Sequence, residues 1–101
     1  MYFKKSGIFL ISTLKYYDFI EEFVTIAYVL IKSDLGAEQT VVEELEKIEQ
    51  VVKVETTFGD YDMFAKLEAE HTEKIREVIT WNIQKLKGIR NTKTLIKKEQ
   101  T

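Results

Sequence analysis

Val54-Glu55-Thr56-Thr57-Phe58-Gly59-Asp60-Tyr61-Asp62-Met63-Phe64 lies just past the middle of the 101-residue chain, and its reading decides the fold. Before Gly59 runs Val51-Val52-Lys53-Val54-Glu55-Thr56-Thr57-Phe58, β-branched and partly alternating. After it runs Asp62-Met63-Phe64-Ala65-Lys66-Leu67-Glu68. Two such runs joined by a short Gly/Asp segment read as a β-hairpin, with Gly59 free to take a positive φ. In the first strand Val52, Val54, Thr56 and Phe58 are expected on one face, with Lys53, Glu55 and Thr57 on the other. In the second, Met63, Ala65 and Leu67 alternate with Phe64, Lys66 and Glu68.

Working outward, residues 24–31 (VTIAYVLI) form a continuous apolar run of strand length, suited to a central strand covered on both faces. The cluster Lys32-Ser33-Asp34-Leu35-Gly36 reads as a turn. In the helix that follows, Ala37, Val41, Leu45 and Ile48 make an apolar face, and Glu38, Glu43, Glu44, Glu46 and Lys47 fill much of the remainder. Carboxylates on such a face are ordinarily solvated, and no metal is expected there. Downstream of the hairpin a second helix is predicted over residues 71–87, with Ile75, Val78, Ile79, Asn82 and Leu86 inward and Trp81 roughly opposite. Gly88 suits the position just past its end. Residues 89–97 close the chain as a strand, followed by a solvated tail.

The order β-α-β-β-α-β predicts a ferredoxin-like α+β fold: a four-stranded antiparallel sheet with two helices on one face. The first and third strands are central. The charged strands carrying Lys53, Glu55, Lys93 and Lys97 are the edges, where charge discourages strand addition. The first strand is apolar on both sides, through Ile26, Tyr28 and Leu30 and through Ala27, Val29 and Ile31. One of those sets faces away from the helices, so a homodimer through the open sheet face is expected, with rings of dimers beyond it.

Composition narrows the function. The length suits one domain with a modest core. Fifteen Lys and Arg against 17 Asp and Glu, interspersed, argue against direct binding of DNA. There is no Cys and a single His, which excludes thiolate chemistry, disulfides and His-clustered metal sites. A cytoplasmic location fits, and no cofactor is implied. Residues 1–23 differ from the rest. They are aromatic-rich, and their apolar run at residues 8–11 is too short for a signal peptide or a membrane span. They read as an N-terminal extension, either a short helix through Leu10, Leu14 and Tyr17 that serves as a docking arm, or a poorly ordered segment that need not belong to the native protein.

Residues 24–99, about three quarters of the chain, resemble the effector-binding and oligomerisation (RAM) domain of the Lrp/AsnC (feast/famine) transcription regulators. The matching residues are Ala27-Tyr28-Val29-Leu30-Ile31, Leu45-x-x-Ile48, Val51-Val52-x-Val54, Gly59-Asp60-Tyr61-Asp62 and Gly88-Ile89-x-x-Thr92-x-Thr94-Leu95-Ile96. The Gly-Asp-Tyr-Asp hairpin is the most specific of these. The resemblance implies homodimers built into higher rings, commonly octamers, with an amino-acid effector held between dimers. Only residues 1–23 precede the domain here, too few for a helix-turn-helix, so a stand-alone module is expected. It would act on transcription through the effector or through co-assembly with full-length Lrp/AsnC-type regulators.

Ligand-binding candidates are Gly59, Asp60, Tyr61, Asp62, Thr92 and Thr94. Asp60 and Asp62 are the anions for an ammonium. Thr92, Thr94 and amide groups freed at Gly59 are donors for a carboxylate, and Tyr61 covers the ligand side chain. The alternative is that Gly59-Asp60 is turn chemistry and Asp62 closes a local hydrogen bond, as in a purely structural assembly module. A third reading, a dimeric α+β barrel enzyme, would use His71 with Asp60, Asp62 or Tyr61 in a buried cavity. No catalytic residue is assigned.

Overall fold

The computed structural model describes residues 24–97. The expectations for residues 1–23 and for the C-terminal tail lie outside the described residues. Strand β1 (Thr25–Ser33) leads to helix α1 (Glu38–Glu46), then β2 (Val51–Thr56), β3 (Met63–Ala69), helix α2 (Thr72–Val78) with a π-helical continuation (Ile79–Ile83), and β4 (Ile89–Ile96). The strands form one four-stranded antiparallel sheet in the order β2-β3-β1-β4. This is the ferredoxin-like arrangement, with β1 and β3 central as predicted.

Alternation on the central strands decides which residues form the core. Ala27, Val29 and Ile31 of β1 stand opposite Leu67, Ala65 and Met63 of β3. All six are fully buried, with Val41 and Leu45 from α1 and Ile75, Val78, Ile79 and Ile83 from α2 packed on them. Ala37 and Ile48 complete the predicted α1 face. The other side of the sheet presents Tyr28, Leu30, Phe64 and Leu95. Tyr28 and Phe64 meet edge to face with ring centres 6.1 Å apart. Tyr28 stands opposite both Lys66 and Leu95, and Leu30 opposite both Phe64 and Lys93. Tyr28 is 38% and Leu95 50% exposed. An apolar strip bordered by charge therefore remains on this face.

The structure corrects the sequence reading in three places. The ladder between β2 and β3 slips between Val51 and Lys53, so Val52 is an extra, bulged residue. Val51 and Val54 pack on the core instead of Val52 and Val54, and Val52 is exposed. A bulge resets strict alternation, and nothing in the residue types announces it. Second, β2 ends at Thr56 and β1 runs on to Ser33, through what reads as a turn. The hairpin connection is thus the longer loop 57–62, with Phe58 fully exposed. Third, α2 widens at Ile79–Ile83, where Gln84 N–H reaches back to the Ile79 carbonyl at 2.8 Å. The wider turn keeps Ile83 on the inner face after Ile75 and Ile79, and Asn82, predicted inward, is exposed.

Candidate functional site

Loop 57–62 is closed at its base. Thr57 N–H donates to the Asp62 carbonyl at 2.9 Å, and the Thr57 hydroxyl to the Tyr61 carbonyl at 2.8 Å. It is also fastened to the end of the neighbouring central strand. Asp62 N–H donates to the Ile31 carbonyl at 2.8 Å, and the Lys32 ammonium to the Asp60 carbonyl at 2.9 Å. The Asp62 carboxylate accepts from Ser33 twice through Oδ2, from the backbone N–H at 2.8 Å and from the hydroxyl at 3.1 Å. These contacts join residues about 30 positions apart. They hold the loop against β1 without any secondary structure of its own.

The Ser33 amide is the main reason that the half-buried Asp62 carboxyl titrates below the usual carboxylate range. Partial burial opposes it, while the Ser33 hydroxyl and the charges of Lys32 and Arg90 assist. A folded-state value below the unfolded one stabilises the fold above the ordinary Asp value of about 3.9, and that contribution is lost as pH falls through the folded-state value. Hydrogen-exchange protection of the Ser33 amide is therefore expected to drop at acid pH in the wild type. In Asp62→Ala it should be low throughout and independent of carboxylate titration.

Gly59 has φ +114° and open space around its Cα, so a backbone that other residues adopt only under strain forms the tip of the loop. Among the described residues, no acceptor engages the amide groups of residues 58–61, and no cation lies at ion-pair distance from the exposed Asp60 carboxylate. The start of β4 adjoins the same end of the sheet. Asp34 N–H donates to the Gly88 carbonyl at 2.7 Å, and Arg90 Nε stands 3.8 Å from Asp34 Oδ1. Three carboxylates (Asp34, Asp60, Asp62) and two cations (Lys32, Arg90) thus gather where β1 ends.

The predicted residues are only partly brought together. Gly59, Asp60, Tyr61 and Asp62 form one loop. Thr92 pairs with Ile31 and lies at the same end, but on the helix-covered side, where its hydroxyl accepts from Gln84 Nε2 at 3.0 Å. Thr94 pairs with Val29, two residues further along the strand, roughly 7 Å away. Lys32, Ser33 and Arg90 were not singled out by the sequence reading. The turn assigned to Lys32 and Ser33 concealed their place at the end of a strand. His71, an acid/base candidate for the enzyme reading, lies beyond the far end of β3, about 20 Å of strand from Asp62. It is exposed, beside an open depression of about 460 Å³ lined also by Thr25, Glu70, Thr72, Glu73 and Arg76. Within one chain, His71 and the loop carboxylates therefore lie at opposite ends of β3.

Residues 26–101 match the family model described as the Lrp/AsnC ligand binding domain. The HTH-type transcriptional regulator FL11 of Pyrococcus furiosus is 31% identical over 71 residues, which are 70% of this chain and 46% of that protein. The chain thus spans about half the length of the curated relatives it matches. The crystal structure of FFRP-DM1 superposes with a TM-score of 0.70 at 29% identity, covering 72% of this chain and 97% of that one. The transcriptional regulator NMB0573 of Neisseria meningitidis, solved as a complex with L-Met, shares the fold with a TM-score of 0.72 at 10% identity, over 90% of this chain and 57% of that one. With a family model spanning three quarters of its length and the fold of its solved relatives, the chain belongs to the Lrp/AsnC ligand-binding domain family.

Proposed function

We propose that this domain binds an α-amino acid at the end of the sheet where loop 57–62 meets β1, and that it does so as a homodimer joined through the open sheet face. Dimers associate further into a ring such as an octamer, and effector occupancy reaches transcription through regulators of the same family. The observation that carries the reading is the fastened loop: among the described residues, the amides of residues 58–61 have no acceptor and the Asp60 carboxylate beside them has no cation at ion-pair distance. An α-amino acid needs that pair of features, donors for its carboxylate and an anion for its ammonium. Asp60 is the ammonium partner. Asp62, already engaged by Ser33, is the positioning residue that sets the loop on β1. Tyr61, half-buried at the loop's closing end, borders the ligand side chain. The family description and the amino-acid complex of NMB0573 support this choice of ligand class. The strip of Tyr28, Leu30, Phe64 and Leu95 supports the dimer.

The test is a thermal-shift screen of the twenty amino acids, with oligomeric mass followed in parallel. A ligand at ~100 times its Kd stabilises the native state by about 2.7 kcal/mol. A selective shift is expected, abolished by Asp60→Ala while the assembly stays intact. A protein monomeric at micromolar concentration would refute the assembly. A flat screen on an assembled particle would favour the purely structural module, in which the Asp62–Ser33 bonds serve only to fasten the loop.

A further inference from the structure

The helix layer carries two exposed surfaces of opposite charge. The end of the second helix carries two bases, Lys85 and Lys87, and no acid from residue 78 to residue 88. α1 is the reverse, with Glu38, Glu43, Glu44 and Glu46 and no base. Among the described residues only Glu44 has a cation partner, Lys47 at 3.0 Å, and Glu43 accepts from Gln39 Nε2 at 3.0 Å. Among the described residues, Glu38, Glu43 and Glu46 have no cation at ion-pair distance.

The basic surface has an aromatic centre. Trp81 is 66% exposed, with the Lys85 ammonium 5.1 Å from its ring centre. Lys74, Glu77, Trp81 and Lys85 recur at intervals of three, four and four residues, so they share the outer stripe of α2 and its continuation. The π-helical turn sets Trp81 and Asn82 outward together. An indole that leaves most of its area in water, with Lys85 over its ring and Glu77 on the preceding turn, is suited to anchor a contact. On α1, Gln39, Glu43 and Glu46 make an outward stripe at matching intervals of four and three.

We propose that the Trp81–Lys85 face docks the outer face of α1 from a second copy of this chain, with the indole against the aliphatic stems of Gln39 and Glu43 and with Lys85 and Lys87 against Glu43 and Glu46. Charge complementarity selects that occupant, since one chain carries both halves. Because the two halves are different surfaces, the contact is heterologous: each copy offers one half to each of two neighbours, and the series closes into a ring where the rotation allows. It is a different contact from the dimer through the open sheet face, and it is the one that links dimers. The inference rests on the proposed function for that dimer as its unit and for the association of dimers beyond it, and is independent of the effector site.

Sedimentation velocity on the full chain tests it through a charge exchange. Lys85→Glu/Lys87→Glu makes both halves acidic, and Glu43→Lys/Glu46→Lys makes both basic. Each variant alone is expected to self-associate beyond the dimer at least about tenfold more weakly than wild type, because like charges now face each other. An equimolar mixture is expected to regain the larger particle, since each variant then complements the other at both halves. Trp81→Ala weakens assembly in either background, and added salt weakens wild type. A wild-type chain that stops at the dimer overturns the docking surface together with the proposed ring, and variants that assemble like wild type overturn the docking surface alone. The second of these outcomes leaves the amino-acid shift intact. A flat amino-acid screen on protein whose mass follows the charge exchange overturns the effector site and leaves the docking surface standing.

Discussion

Ile31→Ala is expected to lower the stability of the domain by about 2–5 kcal/mol, the range for truncating a fully buried aliphatic side chain to Ala. Ile31 has no exposed surface, and its neighbours in the sheet are Met63 on one side and Thr92 on the other. The cavity cannot close by collapse of the backbone, because the Ile31 carbonyl also holds the Asp62 amide. Urea unfolding at fixed protein concentration measures the loss, and each kcal/mol corresponds to roughly 4–8 °C of melting temperature in a chain of this size. Ile31→Val, which keeps the branched shape, should cost about 0.5–1.5 kcal/mol. An Ile31→Ala protein within 1 kcal/mol of wild type would mean that the centre of the sheet repacks freely.

The second large effect is expected at Gly88. Its φ is +97°, and a Cβ built there would stand 3.0 Å from the Ala37 Cβ and 3.2 Å from Val41 Cγ2. Two costs add. A side chain at that backbone conformation costs of order 1–3 kcal/mol, and forcing a methyl group against a packed helix costs about 1–3 kcal/mol more. Gly88→Ala should therefore lose roughly 2–6 kcal/mol. Gly59→Ala is the internal control: φ is again strongly positive but open space surrounds the Cα, so only the first cost applies. Thermal unfolding of the two variants side by side separates conformation from contact. Equal losses would show that α1 gives way at Ala37 and that its fit over Gly88 is loose.

The sheet was largely legible in the residues, because β1 and β3 have to satisfy a covered face at every second position. Met63, Ala65 and Leu67 read as one face and are one face. Edge β2 was legible in type but not in phase. The extra residue at Val52 leaves the composition of the strand unchanged while exchanging which valines face inward. The inner stripe of α2 failed at Asn82 for a similar reason: the reading assumed 3.6 residues per turn, and the backbone departs from that at Ile79–Ile83. At the candidate site, the four residues of the hairpin motif were visible as neighbours in sequence. The contacts that give the loop its shape were not, because Ser33 and Lys32 lie about 30 residues away from Asp62 and Asp60 and only strand pairing brings them near. The side of the sheet on which Thr92 sits was hidden as well. It follows from register with Ile31, a property of two strands rather than one.

The bulge at Val52 has a bearing on how the protein behaves when concentrated. Among the described residues the sheet has two unpaired edges, and each offers backbone groups to any passing strand. On β2 the ladder is broken after Val51, and exposed Lys53 and Glu55, paired at 2.9 Å, crowd the rest. A bulged strand is bent and more strongly twisted, so a second copy cannot lie flush along it. On β4, Arg90 and Lys93 are both exposed and no acid offsets them on the strand. Growth by endless strand addition is thus blocked at both margins of the sheet. Crowded solutions of this domain are steered away from cross-β fibres.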